Sequence, residues 1–130
     1  MSQILLDTHV WIWWSIGANN YLSTRAQDIL ATASKKWLST ISCWELAKLV
    51  EKKRLGLAIH PLTWMKRSLK EGNIRLAGLT PEIAVESTML SNFHPDPADQ
   101  IIVATARILG LPLITSDKRI LSYPDAETLW

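Results

Sequence analysis

The chain has too little cysteine to staple itself: Cys43 is alone in 130 residues, so no internal disulfide can form, which fits a reducing, cytoplasmic setting. It has no apolar run near the ~18 residues that span a bilayer. Its start, Met1-Ser2-Gln3-Ile4, has neither the basic opening nor the long apolar stretch of a secretory signal, and we expect no membrane association. Charge of one sign is also scarce. A formal net charge of +2 is too small to mark a nucleic-acid binder by itself. His60 and His94 show no ligand spacing, and no repeat, low-complexity segment or linker divides the chain. What remains is a chain of one-domain length, 48% apolar and 20% charged, a balance that predicts a single globular domain over residues 1–130.

Short apolar runs alternate with helical patterns. Ile4-Leu5-Leu6, Trp37 to Thr40, Ile74 to Leu76, Leu113 to Thr115 and Glu127 to Leu129 are strand-like. Helices are expected from Thr8 to Ile16, from a Ser23 or Thr24 cap to Ala33, and from Ser42 to Arg54. Others should run from Pro61 to Lys70, from a Thr80 cap to Leu90, and from Asp96 to Gly110. Strands that alternate with helices predict an α/β fold with a mainly parallel sheet of four to five short strands.

Acids fall where such a sheet keeps its sites, beyond the carboxyl ends of the strands. Asp7 follows the first strand and Asp117 follows the Leu113 run; Glu45 lies early in the helix after the second strand, and Asp96 and Asp99 open another helix. Each has a plainer role when taken alone. Asp7 and Asp96 can cap helices, Ser42-Cys43-Trp44-Glu45 fits a capping box, Asp99 suits a helix dipole, and Asp117 suits a turn. Taken together, five converging carboxylates repel one another unless they share protons or bind a cation. An all-oxygen set without a histidine or cysteine cluster selects hard ions, Mg²⁺ or Mn²⁺. Such ions clamp a phosphate during in-line displacement.

Four segments carry a family resemblance: Leu5-Leu6-Asp7-Thr8-His9, Ser42-Cys43-Trp44-Glu45-Leu46-Ala47-Lys48, Asp96-Pro97-Ala98-Asp99-Gln100 through Ala106, and Leu113-Ile114-Thr115-Ser116-Asp117. In this order the chain resembles the PIN-domain nucleases, specifically the VapC-type toxins of bacterial toxin–antitoxin pairs. The resemblance implies a three-layer α/β/α fold and a metal-dependent endoribonuclease acting on tRNA, rRNA or mRNA. It also implies a cognate antitoxin and a homodimer. Carried over position by position, Asp7, Glu45, Asp99 and Asp117 match the family's metal-binding acids, and Asp96 matches a common extra acid. On this footing Asp7, Asp99 and Asp117 are expected to hold one or two ions, and Glu45 to orient or deprotonate the attacking water. Thr8, Thr115 and Ser116 would support them. Gln100 stands where close relatives often carry a basic residue.

Lys48 and Lys52 share a helix face with Glu45 and, with Lys53, Arg54, Lys118 and Arg119, offer contacts to an RNA backbone. Val10-Trp11-Ile12-Trp13-Trp14 is too apolar for one helix stripe, so its excess predicts a protein interface. The alternative function is a catalytically silent PIN-type module that binds RNA or protein. A dehalogenase-type phosphatase would want an acid where His9 stands, and a receiver domain would leave Asp96 and Asp99 unexplained.

Overall fold

The computed structural model describes residues 2–130. Ile4, Leu5 and Leu6 form most of β1 (Gln3–Leu6), and all three are wholly buried. A central parallel strand is covered on both faces, so it reads as a solid apolar run rather than an alternating one. With β2 (Lys35–Ser39), β3 (Ile74–Ala77), β4 (Leu113–Ile114) and β5 (Thr128–Leu129) it makes a sheet in the order β3-β2-β1-β4-β5. Every pair is parallel.

Parallel neighbours need long crossovers. Helices α1 (Thr8–Ile16), α2 (Thr24–Thr32), α3 (Thr40–Glu51), α4 (Pro61–Glu71), α5 (Pro81–Ser87) and α6 (Pro97–Leu109) supply them, and α7 (Lys118–Leu121) follows β4. Alternation along β1 sends Ile4 and Leu6 to one face, where they meet Val10, Trp11, Leu30 and Leu46 from α1, α2 and α3. Leu5 points to the other face, against Ile102, Val103 and Ile120 from α6 and α7. This is the expected three-layer α/β/α arrangement, with five strands. Ser23, Thr80 and Asp96 cap their helices as expected, and Gly17 and Gly110 close α1 and α6 in the left-handed conformation that suits glycine.

Several boundaries differ from expectation. β2 passes directly into α3, whose cap is Ser39, so the helix begins two residues before Ser42. The capping box at Ser42 to Glu45 is therefore absent: Ser39 takes the cap, and the Glu45 carboxyl is engaged by the Thr8 hydroxyl instead. Helix α5 stops at Ser87 rather than Leu90. After α1 the chain makes a 3-10 turn at Asn19–Tyr21, and α7 is too short for a periodic signal.

The tryptophan-rich stretch also packs more deeply than one apolar stripe allows. Helix α1 is covered by the sheet and by neighbouring helices, which bury Val10, Trp11 and Ile12 and leave Trp13 and Trp14 half-buried. The more exposed apolar side chains lie elsewhere, including Leu76, Leu79, Val85 and Met89. Among the described residues, no helix is long and apolar enough to cross a membrane.

Candidate active site

Strands β1 and β4 lie side by side, but their chains leave in opposite directions, toward β2 and β5 respectively. Such a switch point opens a crevice beyond the strands' carboxyl ends. Asp7 stands there directly after β1. Its Oδ1 accepts the Thr8 backbone N–H at 2.8 Å and its Oδ2 accepts the Thr115 hydroxyl at 2.6 Å. Thr115 is the first residue after β4 and is itself wholly buried. The two central strands thus hold one carboxylate between them.

The other acids arrive on three different helices. Glu45 projects from the second turn of α3, with Oε1 at 2.5 Å from the Thr8 hydroxyl. That hydroxyl also lies 2.8 Å from Ser42 Oγ. A hydroxyl has one proton to give; donating to Glu45 and accepting from Ser42 satisfies all three groups. Asp96 caps α6 through the Asp99 N–H, and Asp99 lies in the first turn of that helix. Asp117 caps α7. Together with His9, Trp13, Ser116 and Arg119, the five acids line one cleft of about 350 Å³.

The tightest grouping is Glu45, Asp96 and Asp99, each of which offers an oxygen within 4.8 Å of the others. The metal-binding acids expected from the sequence, Asp7, Glu45, Asp99 and Asp117, share Glu45 and Asp99 with this group. Asp117 is engaged by its own helix: Arg119 donates from Nη2 to Oδ2 at 2.9 Å, and its backbone N–H donates to Oδ1 at 2.8 Å. The same Nη2 reaches Asp99 Oδ2 at 3.6 Å.

Burial sets the protonation. It pushes the Glu45 carboxyl up to about 7, against the Thr8 hydrogen bond, and the charges of Asp99, Asp7 and Asp96 push the same way. Burial likewise raises Asp7, opposed by Thr115 and Thr8, and Asp99, opposed by His94. Asp117 moves the other way because Arg119 donates to it. Carboxylates raised in this manner hold protons in the fold that they would lose in the unfolded chain. Without a cation, stability therefore falls as pH rises from about 4.5 to about 7 through Glu45. A Glu45→Gln variant without added metal should match the parent near the lower pH and melt higher than it above the upper one; a constant difference across that window would remove this account.

Thr8 and Thr115 lie beneath the cleft and donate to its acids, and Ser116 borders it. Lys48 and Lys52 do not border it. Lys48 pairs with Glu51 at 3.0 Å beside the Trp44 ring. One partner was missed outright: His94 Nε2 lies 2.8 Å from Asp99 Oδ2, and Gln100 Nε2 donates to the His94 carbonyl at 3.3 Å. The Pro95-Asp96-Pro97 turn brings His94 back over the start of α6, a path that residue spacing does not encode. Arg119 figured in the sequence only as an RNA contact, yet its position two residues after Asp117 places it in the first turn of α7.

A family model described as the PIN domain matches residues 4–126. The chain is 38% identical over 133 residues to Ribonuclease VapC22 of Mycobacterium tuberculosis, with both chains fully covered. It superimposes with a TM-score of 0.73 on a chain of the VapBC2 structure from Rickettsia felis bound to a DNA fragment from their promoter, at 12% identity, covering 98% of this chain and 97% of that one. A chain of DNA-bound VapBC from Salmonella typhimurium gives a TM-score of 0.72 at 18% identity, covering 99% and 98%.

Proposed function

The chain belongs to the PIN domain family, and from that premise we propose that it is a divalent-metal-dependent endoribonuclease, the toxin of a type II toxin–antitoxin pair. The observation that carries this reading is the convergence of Asp7, Glu45, Asp96, Asp99 and Asp117, from four separate helices or their caps, on one cleft at the switch point of the sheet.

The residues fit a hard cation. All the donors are carboxylate oxygens, three of them lie within 4.8 Å of one another, and burial leaves Asp7, Glu45 and Asp99 reluctant to ionise without a neutralising partner. Asp7, Glu45, Asp99 and Asp117, with Asp96 beside them, would hold Mg²⁺ or Mn²⁺. When bound, such an ion lowers the pKa of water and offsets charge on the phosphate.

The chain's own groups then have definite tasks. Glu45 Oε1 is engaged by Thr8, and its second oxygen, ionised once a cation is bound, would take a proton from the attacking water. His94 holds Asp99, and Thr115 with the Thr8 N–H holds Asp7, so the carboxylates do not have to be ordered during the reaction. Arg119 is 60% exposed at the cleft and can exchange Asp117 for a phosphate oxygen. Water attack leaves 5′-phosphate and 3′-hydroxyl ends. Lys48 and Lys52 would serve as outlying phosphate contacts. A cognate antitoxin would cover this acid-rich cleft, and the exposed apolar side chains of β3 and α5 suit a homodimer.

Because Glu45 titrates at about 7, cation binding should release protons near neutrality. Affinity for Mn²⁺ should fall about tenfold per pH unit below that point for each proton displaced. Calorimetry in buffers of different ionisation heat reads this directly, and pH-independent binding would count against the site.

The defining experiment incubates protein freed of any antitoxin with total cellular RNA and Mg²⁺ or Mn²⁺, beside chelated and Asp7→Ala controls. Discrete fragments that vanish in both controls support the reading. A folded, cation-loaded protein that binds RNA without cutting it would make the chain a silent binding module.

A further inference from the structure

Aromatic rings form one wall of the acid cleft. His9 and Trp13 both line it, one helical turn apart on α1, with ring centroids 5.8 Å apart. Beyond them Tyr21, on the 3-10 turn after α1, lies nearly parallel to Trp13 at 5.3 Å and 18°. Core packing accounts for only part of this. Trp13 is half-buried, but His9 is exposed and Tyr21 is 59% exposed. The Asn19–Tyr21 turn buries none of its residues. A large aromatic ring held flat against another at an exposed site gives the fold little by burial.

From this juxtaposition we infer that His9, Trp13 and Tyr21 form a stacking subsite for an unpaired base next to the scissile phosphate. The inference rests on the nuclease reading and deepens it, since it names the side chains that would hold a base beside the scissile phosphate. The phosphate is drawn to the cation-loaded acids and Arg119, so the base attached to it must lie along the adjoining wall. That wall presents aromatic faces, which every base can stack on whatever its sequence. In an A-form duplex the base faces are already covered by their neighbours, and the deep, narrow major groove shuts side chains out. The ring wall therefore favours unpaired loops and strands over helices. Tyr21, which is not itself among the residues lining the acid cleft, continues the stack from Trp13, so a second base can follow the first.

The test uses the Asp7→Asn background, which holds RNA without turning it over. A labelled oligoadenylate RNA is bound alone or annealed to oligouridylate. Tyr21→Ala should weaken the single strand by roughly 5- to 150-fold, the range expected for loss of a stacked base. Tyr21→Phe should keep the affinity, duplex binding should not change, and the single strand should quench tryptophan emission less in Trp13→Phe. Because Tyr21 is largely exposed, its replacement spares the core even if Trp13→Ala does not fold. The subsite is overturned if Tyr21→Ala binds the single strand as tightly as the parent, which would leave the ring wall to a protein partner. It is also overturned if Tyr21→Phe loses as much as Tyr21→Ala, because the hydroxyl and not the ring would then be at work. An Asp7→Asn form that binds neither strand, beside an unsubstituted protein that cuts no RNA, would instead bring down the nuclease reading on which the inference stands.

Discussion

Replacing Asp7 by asparagine is expected to lower the rate of RNA cleavage on the order of 10³-fold while leaving the melting temperature of the metal-free protein unchanged or higher. The first half follows from the proposed cation, which would stabilise transition-state charge by several kcal/mol, with each 1.36 kcal/mol a factor of ten in rate. Asp7 lines the acid cleft, where the Thr115 hydroxyl and the Thr8 N–H aim its carboxylate. The second half follows from burial. This carboxyl is 8% exposed and is pushed above its ordinary value, so its charge at neutral pH opposes folding. Asparagine keeps the shape and removes the charge. Thermal melts and single-turnover cleavage, measured on the same preparations, decide the matter. If both activity and stability collapse, Asp7 is a structural cap; if activity survives, the site lies elsewhere.

Replacing Trp11 by alanine is expected to remove about 3–5 kcal/mol of stability, the usual cost of truncating a buried aromatic. A domain of this size has ~5–15 kcal/mol in all, so its midpoint should drop on the order of 10–20 °C. Trp11 is wholly buried between the sheet and α4. It packs against Trp64 at 5.5 Å between centroids, and its indole Nε1 donates to Ser68 Oγ at 2.8 Å. Ser68 lies equally close to Ser15 Oγ, so Trp11→Phe leaves that hydroxyl partnered and should cost only roughly 1–2 kcal/mol. Comparable losses in the two variants would show that the indole hydrogen bond, and not the ring volume, holds α1 to α4.

Trp11 also marks a limit of reading a chain by its pattern. Five consecutive large apolar residues exceed one helix stripe, and a contact surface was the natural expectation. The α/β/α arrangement instead wraps α1 on several sides, which helical periodicity does not report. Glu45 shows the same limit at the site. Its spacing from Ser42 matches a capping box, but β2 runs into α3 without a loop and Ser39 takes the cap. Glu45 is thereby placed one turn into the helix, where it meets Thr8 and the other acids.

The local order of the chain was enough to establish alternating strands and helices, and to place acids just past strand ends. Apolar runs, caps and breakers act over a few residues, and those interactions are visible in any linear stretch. The strand order, which sets β1 beside β4, joins Thr115 to Asp7 and opens a crevice beyond them, was settled only by packing more than a hundred residues apart. The same holds for His94 on Asp99, for Arg119 across Asp117 and Asp99, and for the ring wall ending in Tyr21. Each depends on where whole elements come to rest, and that is decided by the burial of both sheet faces at once and not by any residue's neighbours in sequence.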